Sequence, residues 1–297
     1  MTDNRRGIVM MLLAVGLLSV MDAGLKELSA AYPALQVAAL RAGASWPLVV
    51  IWILARSSPR ALLNVRWPLH LLRGAMGVAM IAAFVYGVRA LPLTTAYTLF
   101  FVAPLIITLL SRPILGEKIG AYRWVAIIGG FAGVLIAMRP DVASVATWAS
   151  VAVLFAALLY AISAITVRML ARTDSTSAMV FWLLTLIALG AGALAAPDWV
   201  ALRPEHWLLV AGVGLVGALG QFAITEAFSR GEASVIAPLE YTALIWGLGF
   251  DAFLWGELPG LGTWIGAAVI VACGIYLIRA ERSKAAAMAT SEPSVQP

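Results

Sequence analysis

The sequence predicts an all-α membrane protein, with ten transmembrane helices arranged as two inverted five-helix repeats and both termini in the cytoplasm. Composition is the first reason. Of 297 residues, 62% are hydrophobic and only 12% charged, and the mean hydropathy is +0.95. A soluble domain is nearer half apolar and a quarter charged. The second reason is a succession of apolar runs of about 20 residues, the length a helix needs to cross the hydrocarbon core. The third is a motif written twice at one offset. Gly116, Glu117, Gly120 and Trp124 reappear 140 positions later as Gly256, Glu257, Gly260 and Trp264.

Dividing the apolar runs at their Pro, Gly, Arg and Asp clusters places the spans in order. The first half holds Gly7–Leu28, Ala34–Ala55, Leu69–Val88, Thr94–Ser111 and Ala121–Ala137. The second holds Trp148–Leu170, Thr176–Ala195, His206–Ser229, Ser234–Trp255 and Leu261–Ile278. The halves are read as residues 1–141 and 142–280, with 281–297 as a disordered Ala/Ser/Pro-rich cytoplasmic tail. Arg5 and Arg6 ahead of the first run suggest a signal peptide, but the run is too long for one and carries Asp22. With the N-terminus inside, fifteen of the 20 Lys and Arg residues fall on the cytoplasmic side, Arg73 and Arg123 among them. That bias fixes the orientation by the positive-inside rule. It also accounts for the pI of 9.7 without a nucleic-acid partner. The single cysteine, Cys273, lies in an apolar run, so neither a disulfide framework nor a cysteine metal site is expected.

The 140-residue offset also pairs Gly74 with Gly214, Gly77 with Gly217, Leu99 with Leu239 and Arg139 with Arg279. An odd number of spans per repeat makes the second copy enter from the opposite face. Glu117 then closes a cytoplasmic hairpin and Glu257 the equivalent outer one. Either each Glu caps the amides of the next helix, with its Trp in the interfacial belt, or it meets a substrate. Inverted halves provide two related states that expose a midplane site to either side in turn, as secondary transporters do.

Together the two hairpins, "ALRAG" around Arg41, "ALPLTTAYTLFFVAPL" and "GEASVIAPLEY" resemble the drug/metabolite transporter superfamily in its EamA-type branch of ten-helix exporters. The resemblance covers nearly the whole chain. It implies an inner-membrane carrier, and within the branch the chain looks most like bacterial exporters of amino acids, aromatic ones included. Carriers of other metabolites or drugs, nucleotide sugars and lipids belong to the same superfamily and are the rival reading.

Ionisable groups within a span cost about 2.5–3.5 kcal/mol at the helix centre, so those present are candidates for transport. Glu240 shares a helical face with Leu244, Gly247 and Asp251, unless Pro238 and the glycines at 247 and 249 interrupt that helix, and is read as lining the pathway; Asp251 lies nearer the outer interface. Asp22 either pairs with Lys26 or faces the cavity. Arg41 pairs with Asp22, meets a substrate carboxylate or snorkels to the interface. An amino acid carries one fixed anion and one fixed cation, which hydroxyls, amides and aromatic faces can match. On that ground Tyr86, Thr94, Tyr97, Thr98, Tyr160, Ser163, Trp182, Tyr241 and Trp246 join Glu240 as candidate substrate contacts. Glu226 and the span-end histidines His70 and His206 are read as solvated.

No HExxH, P-loop or Ser/His pair is present, so enzyme chemistry, cofactor and metal are not expected. A nucleotide cargo would demand a basic cavity, and Arg41 is the one basic residue read as lying well inside a span. The expected function is export of small metabolites, foremost amino acids with bulky side chains, by a protein able to work as a monomer in the lipid bilayer. Energy could come from proton antiport through Glu240 or Asp22, or from the metabolite gradient.

Overall fold

The computed structural model describes residues 3–56, 62–90, 98–138, 147–254 and 260–291, which form helices joined by short turns. The helices are α1 (Asn4–Ser29), α2 (Ala34–Arg56), α3 (Trp67–Ala90), α4 (Ala103–Leu115), α5 (Ala121–Met138), α6 (Trp148–Leu170), α7 (Thr176–Ala195), α8 (Trp207–Arg230), α9 (Ala233–Ile236), α10 (Ala243–Leu254) and α11 (Leu261–Ser291). Among the described residues, eight helices are long and apolar enough to cross a membrane, and two shorter apolar stretches cover Ala121–Ala137 and Ala233–Trp246.

Local chemistry explains the helix ends. The side chain of Asp3 accepts from the Arg6 amide at the start of α1, and Ser175 does the same for Ala178 at the start of α7. Each satisfies one amide that has no partner within its helix. Helix α4 stops at Gly116, whose φ of 72° is left-handed. That conformation is open to glycine at little cost and ends a helix abruptly.

Packing pairs the two halves helix by helix. α1 lies along α8 and α3 along α6, while α2 runs against α7 and α5 against α11. Under a 140-residue shift the first two pairs exchange and the last two map onto themselves. Small residues let the helices approach: a Cβ on Gly214 would stand 2.6 Å from Ala44 Cβ and 2.8 Å from its carbonyl oxygen. The hydroxyl of Ser45 lies 2.8 Å from the Gly214 carbonyl oxygen across the same contact.

Three expectations change here. The ninth span is not one helix: α9 gives way to a 3₁₀ stretch, Ala237–Thr242, before α10. Pro238 lacks the amide that a continuous α-helix would use. Glu240 therefore sits on the 3₁₀ turn and not on an α-helical face shared with Leu244. Next, the chain from Glu281 is helical as far as Ser291. Its Ala-rich sequence favours helix, and Glu281 is anchored by Tyr122, Arg123 and Asn4. Finally, Glu117 does not cap the helix that follows it. Its carboxylate accepts from the Ala233 and Ser234 amides at 2.7 and 3.0 Å, in the other half of the chain.

Candidate functional site

Three of the expected substrate contacts come together near the middle of the spans. Tyr160 lies twelve residues into α6, about 18 Å along its axis at ~1.5 Å per residue. Its hydroxyl donates to Glu240 Oε1 at 3.0 Å, and its ring packs against Phe100 with centroids 5.7 Å apart. Ser163, one turn further along α6, accepts from Arg73 Nε at 3.3 Å. The same guanidinium donates to the Met179 carbonyl at 3.2 Å and lies within Coulombic range of Tyr160. Arg73, Ser163, Tyr160 and Glu240 thus form one polar string from three elements, with a base at one end and an acid at the other.

Arg41 is not the one basic residue inside a span that the sequence suggests, because Arg73 is buried within α3. It lies six residues into α3, about 9 Å from the helix end. The signal was in the sequence. Arg73 falls within the apolar run from Leu69, and Gly74 and Gly77 beside it let Leu186 and Ile187 of α7 approach. A charge so placed must find polar partners.

A second acid and base lie on α1 and α2, toward the turn that joins them. Asp22 is seven residues from the end of α1 and Arg41 seven residues into α2, so both are about 10 Å from the helix ends that the α1–α2 turn joins. The two attract one another. Asp22 is exposed and Arg41 half-buried; the Lys26 side chain lies outside the described residues.

The other candidates have different surroundings. Trp182 donates its indole N–H to the Leu62 carbonyl at 2.9 Å and packs edge-on against Trp67 at 4.5 Å. Tyr241 is buried among aromatic residues, 6.1 Å from Phe101 and 6.5 Å from Phe131 between centroids. Its ring covers Gly130, where a Cβ would come within 2.5 Å, and its hydroxyl has no hydrogen-bond partner among the described residues. Trp246 is exposed and leans on Gly16 of α1. Tyr86 is exposed, whereas Thr98 is buried. Thr94, Tyr97, Glu257 and the Asp251 side chain lie outside the described residues.

The helix ends around Arg123, Glu226 and His70 carry a second polar assembly. Arg123, 1% exposed, pairs with Glu232 and with Glu281 at 2.8 Å, and donates to Ser234 Oγ at 2.8 Å. Glu226, expected in solvent, is buried; it pairs with Arg230, with Arg6 at 3.1 Å and accepts from Thr176 at 2.6 Å. His70 is likewise buried, not solvated. Its Nε2 lies 2.8 Å from Asp174 Oδ2. Burial of Asp174 raises its carboxyl pKa, but hydrogen bonds from Thr173, His70 and the Arg66 amide outweigh that and hold it below the usual carboxylate value. His206 is half-buried and lies 2.8 Å from the Tyr32 hydroxyl.

Long apolar helices packed in pairs around acid–base groups held inside their spans are the arrangement of a membrane transporter. The chain belongs to the EamA-like transporter family, whose model matches twice, over residues 5–139 and 147–280. It is 29% identical over 280 residues to a pseudopaline exporter of Pseudomonas aeruginosa, covering 94% of this chain and 98% of that one. A riboflavin transporter of Vibrio cholerae is 33% identical over 217 residues, 72% of each chain. An S-adenosylmethionine uptake transporter of Rickettsia bellii is 29% identical over 213 residues, 72% of this chain and 73% of that one. A crystal structure with 18% sequence identity superposes with a TM-score of 0.82 over 93% of this chain and 98% of that one, and shares the fold.

Proposed function

We propose that this chain is an inner-membrane secondary transporter that exports small amphoteric metabolites, foremost amino acids with bulky or aromatic side chains. Ten spans form two inverted five-helix halves, with both termini in the cytoplasm, and alternate access to a site between them. The observation that carries the reading is the string Arg73–Ser163 and Tyr160–Glu240, which sets a cation and an anion at different depths within the spans. A zwitterionic cargo presents the same two charges. Asp22 and Arg41 repeat that provision nearer the outer side. Supporting the inverted halves are the double family match and a helix pairing that survives exchange of the halves. A relative named as an exporter, matched over 98% of its length and 94% of this chain, supports the direction of export.

The names of the riboflavin and S-adenosylmethionine carriers support a second reading, transport of a larger heteroaromatic metabolite. Counterflow in proteoliposomes preloaded with unlabelled amino acids tests both. Labelled Trp or Phe is supplied outside, with Thr, Met, riboflavin, S-adenosylmethionine and a nucleotide sugar as competitors. Saturable accumulation that amino acids alone compete away supports the first reading. Accumulation only of riboflavin or S-adenosylmethionine replaces it with the second.

A further inference from the structure

We infer that the cytoplasmic ends of the two halves form a closed inner gate, and that Glu117 and the pair Arg123–Glu232 bias the protein toward that state. The inference rests on the alternating-access reading above. Two layers make the gate. The inner layer is apolar and dry: Met11, Ile107, Ala161, Leu170, Ile236 and Leu239, all at most 1% exposed, meet from both halves in one cluster. Nothing in that layer solvates a charged cargo, so it bars the way between the midspan polar string and the cytoplasm.

The outer layer ties the halves with polar bonds. Glu117, at the turn after α4, takes the Ala233 and Ser234 amides and the Ser234 hydroxyl, the last at 2.7 Å. Those amides open α9, so the carboxylate also meets the positive end of a helix turn. Arg123 reaches from α5 to Glu232 and Ser234 beside the same turn. Its other partner, Glu281, rides on α11, which packs along α5. That pair also joins the two halves, but along one packed helix pair; the bonds to Glu232 and Ser234 reach a different element, the start of α9, and are the ones that opening breaks. On the cytoplasmic side of this layer a cavity of about 420 Å³ is lined by Glu117, Arg168, Arg172, Ser229 and Arg230 among others. It is a vestibule that ends at the latch.

The repeat makes the latch one-sided. At the 140-residue offset Glu117 has a counterpart, Glu257, so each face keeps a hairpin carboxylate. Arg123 corresponds to Thr263, and Glu232 to Pro92. Threonine and proline cannot form an ion pair, so the inner face has a charge-assisted bond that the outer face cannot reproduce. A bond present in one state only shifts the population toward that state by its whole differential energy. Without cargo, the protein therefore rests shut to the cytoplasm.

Cysteine accessibility tests this. With Cys273→Ser as background, Ala237→Cys places a reporter one turn behind the latch, where the parent residue is fully buried. Inside-out vesicles expose the cytoplasmic face to a membrane-impermeant maleimide. Slow labelling is expected with the latch intact, and labelling about tenfold faster in both Arg123→Gln and Glu232→Gln, a shift of ~1.4 kcal/mol. Glu232 is half-exposed, so its variant should fold even if Arg123→Gln does not; elution as a single peak in detergent checks both. Unchanged labelling in folded variants, or equally fast labelling of the parent, overturns the latch. Counterflow on the same preparations separates the two levels. Faster labelling without amino-acid counterflow keeps the gate and discards the cargo, whereas counterflow with unchanged labelling discards the gate.

Discussion

The Glu117 carboxylate lies 2.7 Å from the Ala233 amide nitrogen and 3.0 Å from that of Ser234, joining positions more than a hundred residues apart. A hairpin of the first half thus caps the first turn of the broken span in the second. The Gly116 turn makes this possible by ending α4 in a left-handed conformation and freeing the next residue to point across.

Removing that cap should cost what a lost N-cap costs. Glu117→Ala leaves two amides and a hydroxyl without their acceptor, and about 1–2 kcal/mol of stability should go with it. Glu117→Gln keeps a carbonyl acceptor and should lose less. Tryptophan-fluorescence melting in detergent reads the difference; equal melting of all three proteins would show that the contact contributes nothing.

The midspan string should govern transport and not folding. Tyr160→Phe deletes the hydroxyl that reaches Glu240 and leaves the ring on Phe100. A fall in counterflow of about tenfold or more, equivalent to ~1.4 kcal/mol, is expected at nearly unchanged melting temperature. Glu240→Gln should fall with it, and the double variant should be no worse than the poorer single one, because the two groups act as a unit. Independent, additive losses would separate them.

Arg73→Lys tests the newly found base. An ammonium cannot repeat the two-armed geometry that reaches both Ser163 and the Met179 carbonyl. Weaker apparent affinity for labelled cargo is expected, read as a raised half-saturation constant in counterflow. An unchanged constant would place Arg73 outside the cargo's reach.

Stability should depend on acid through Asp174. Its folded pKa is below the unfolded value, so the stabilisation is fully present above the unfolded pKa, near 3.9. It is lost as pH falls through the still lower folded value. Asp174→Asn should therefore melt earlier than the parent at pH 7, with the gap closing below about pH 4. A gap constant from pH 7 to pH 3 would assign the loss to something other than the carboxylate's charge.

Trp182 shows how a sequence candidate changes meaning. An aromatic residue inside a span is equally suited to cargo or to packing, and only the neighbour decides. Here its N–H is taken by the Leu62 carbonyl and its face by Trp67. Trp182→Phe should lower the melting temperature and leave the order of counterflow competitors as it was; a changed order would return Trp182 to the site.

What the sequence determined by itself is whatever depends on counting along one dimension. Apolar runs of bilayer length and a motif repeated at one offset carry the membrane class and the repeated halves. The family match over both halves agrees with that reading. The sequence also picked out Glu240, Tyr160 and Ser163, since polar groups in apolar runs stand out. What only the tertiary structure decided is which groups meet. Arg73 and Arg123 look the same to a rule that counts basic residues. One reaches Ser163 within the spans and the other pairs with Glu232 and Glu281. Glu117 looks like a local cap and reaches the other half instead. The physical reason is that a hydrogen bond acts over about 3 Å, and helices far apart in the chain come within that distance only once their glycine and alanine faces have packed.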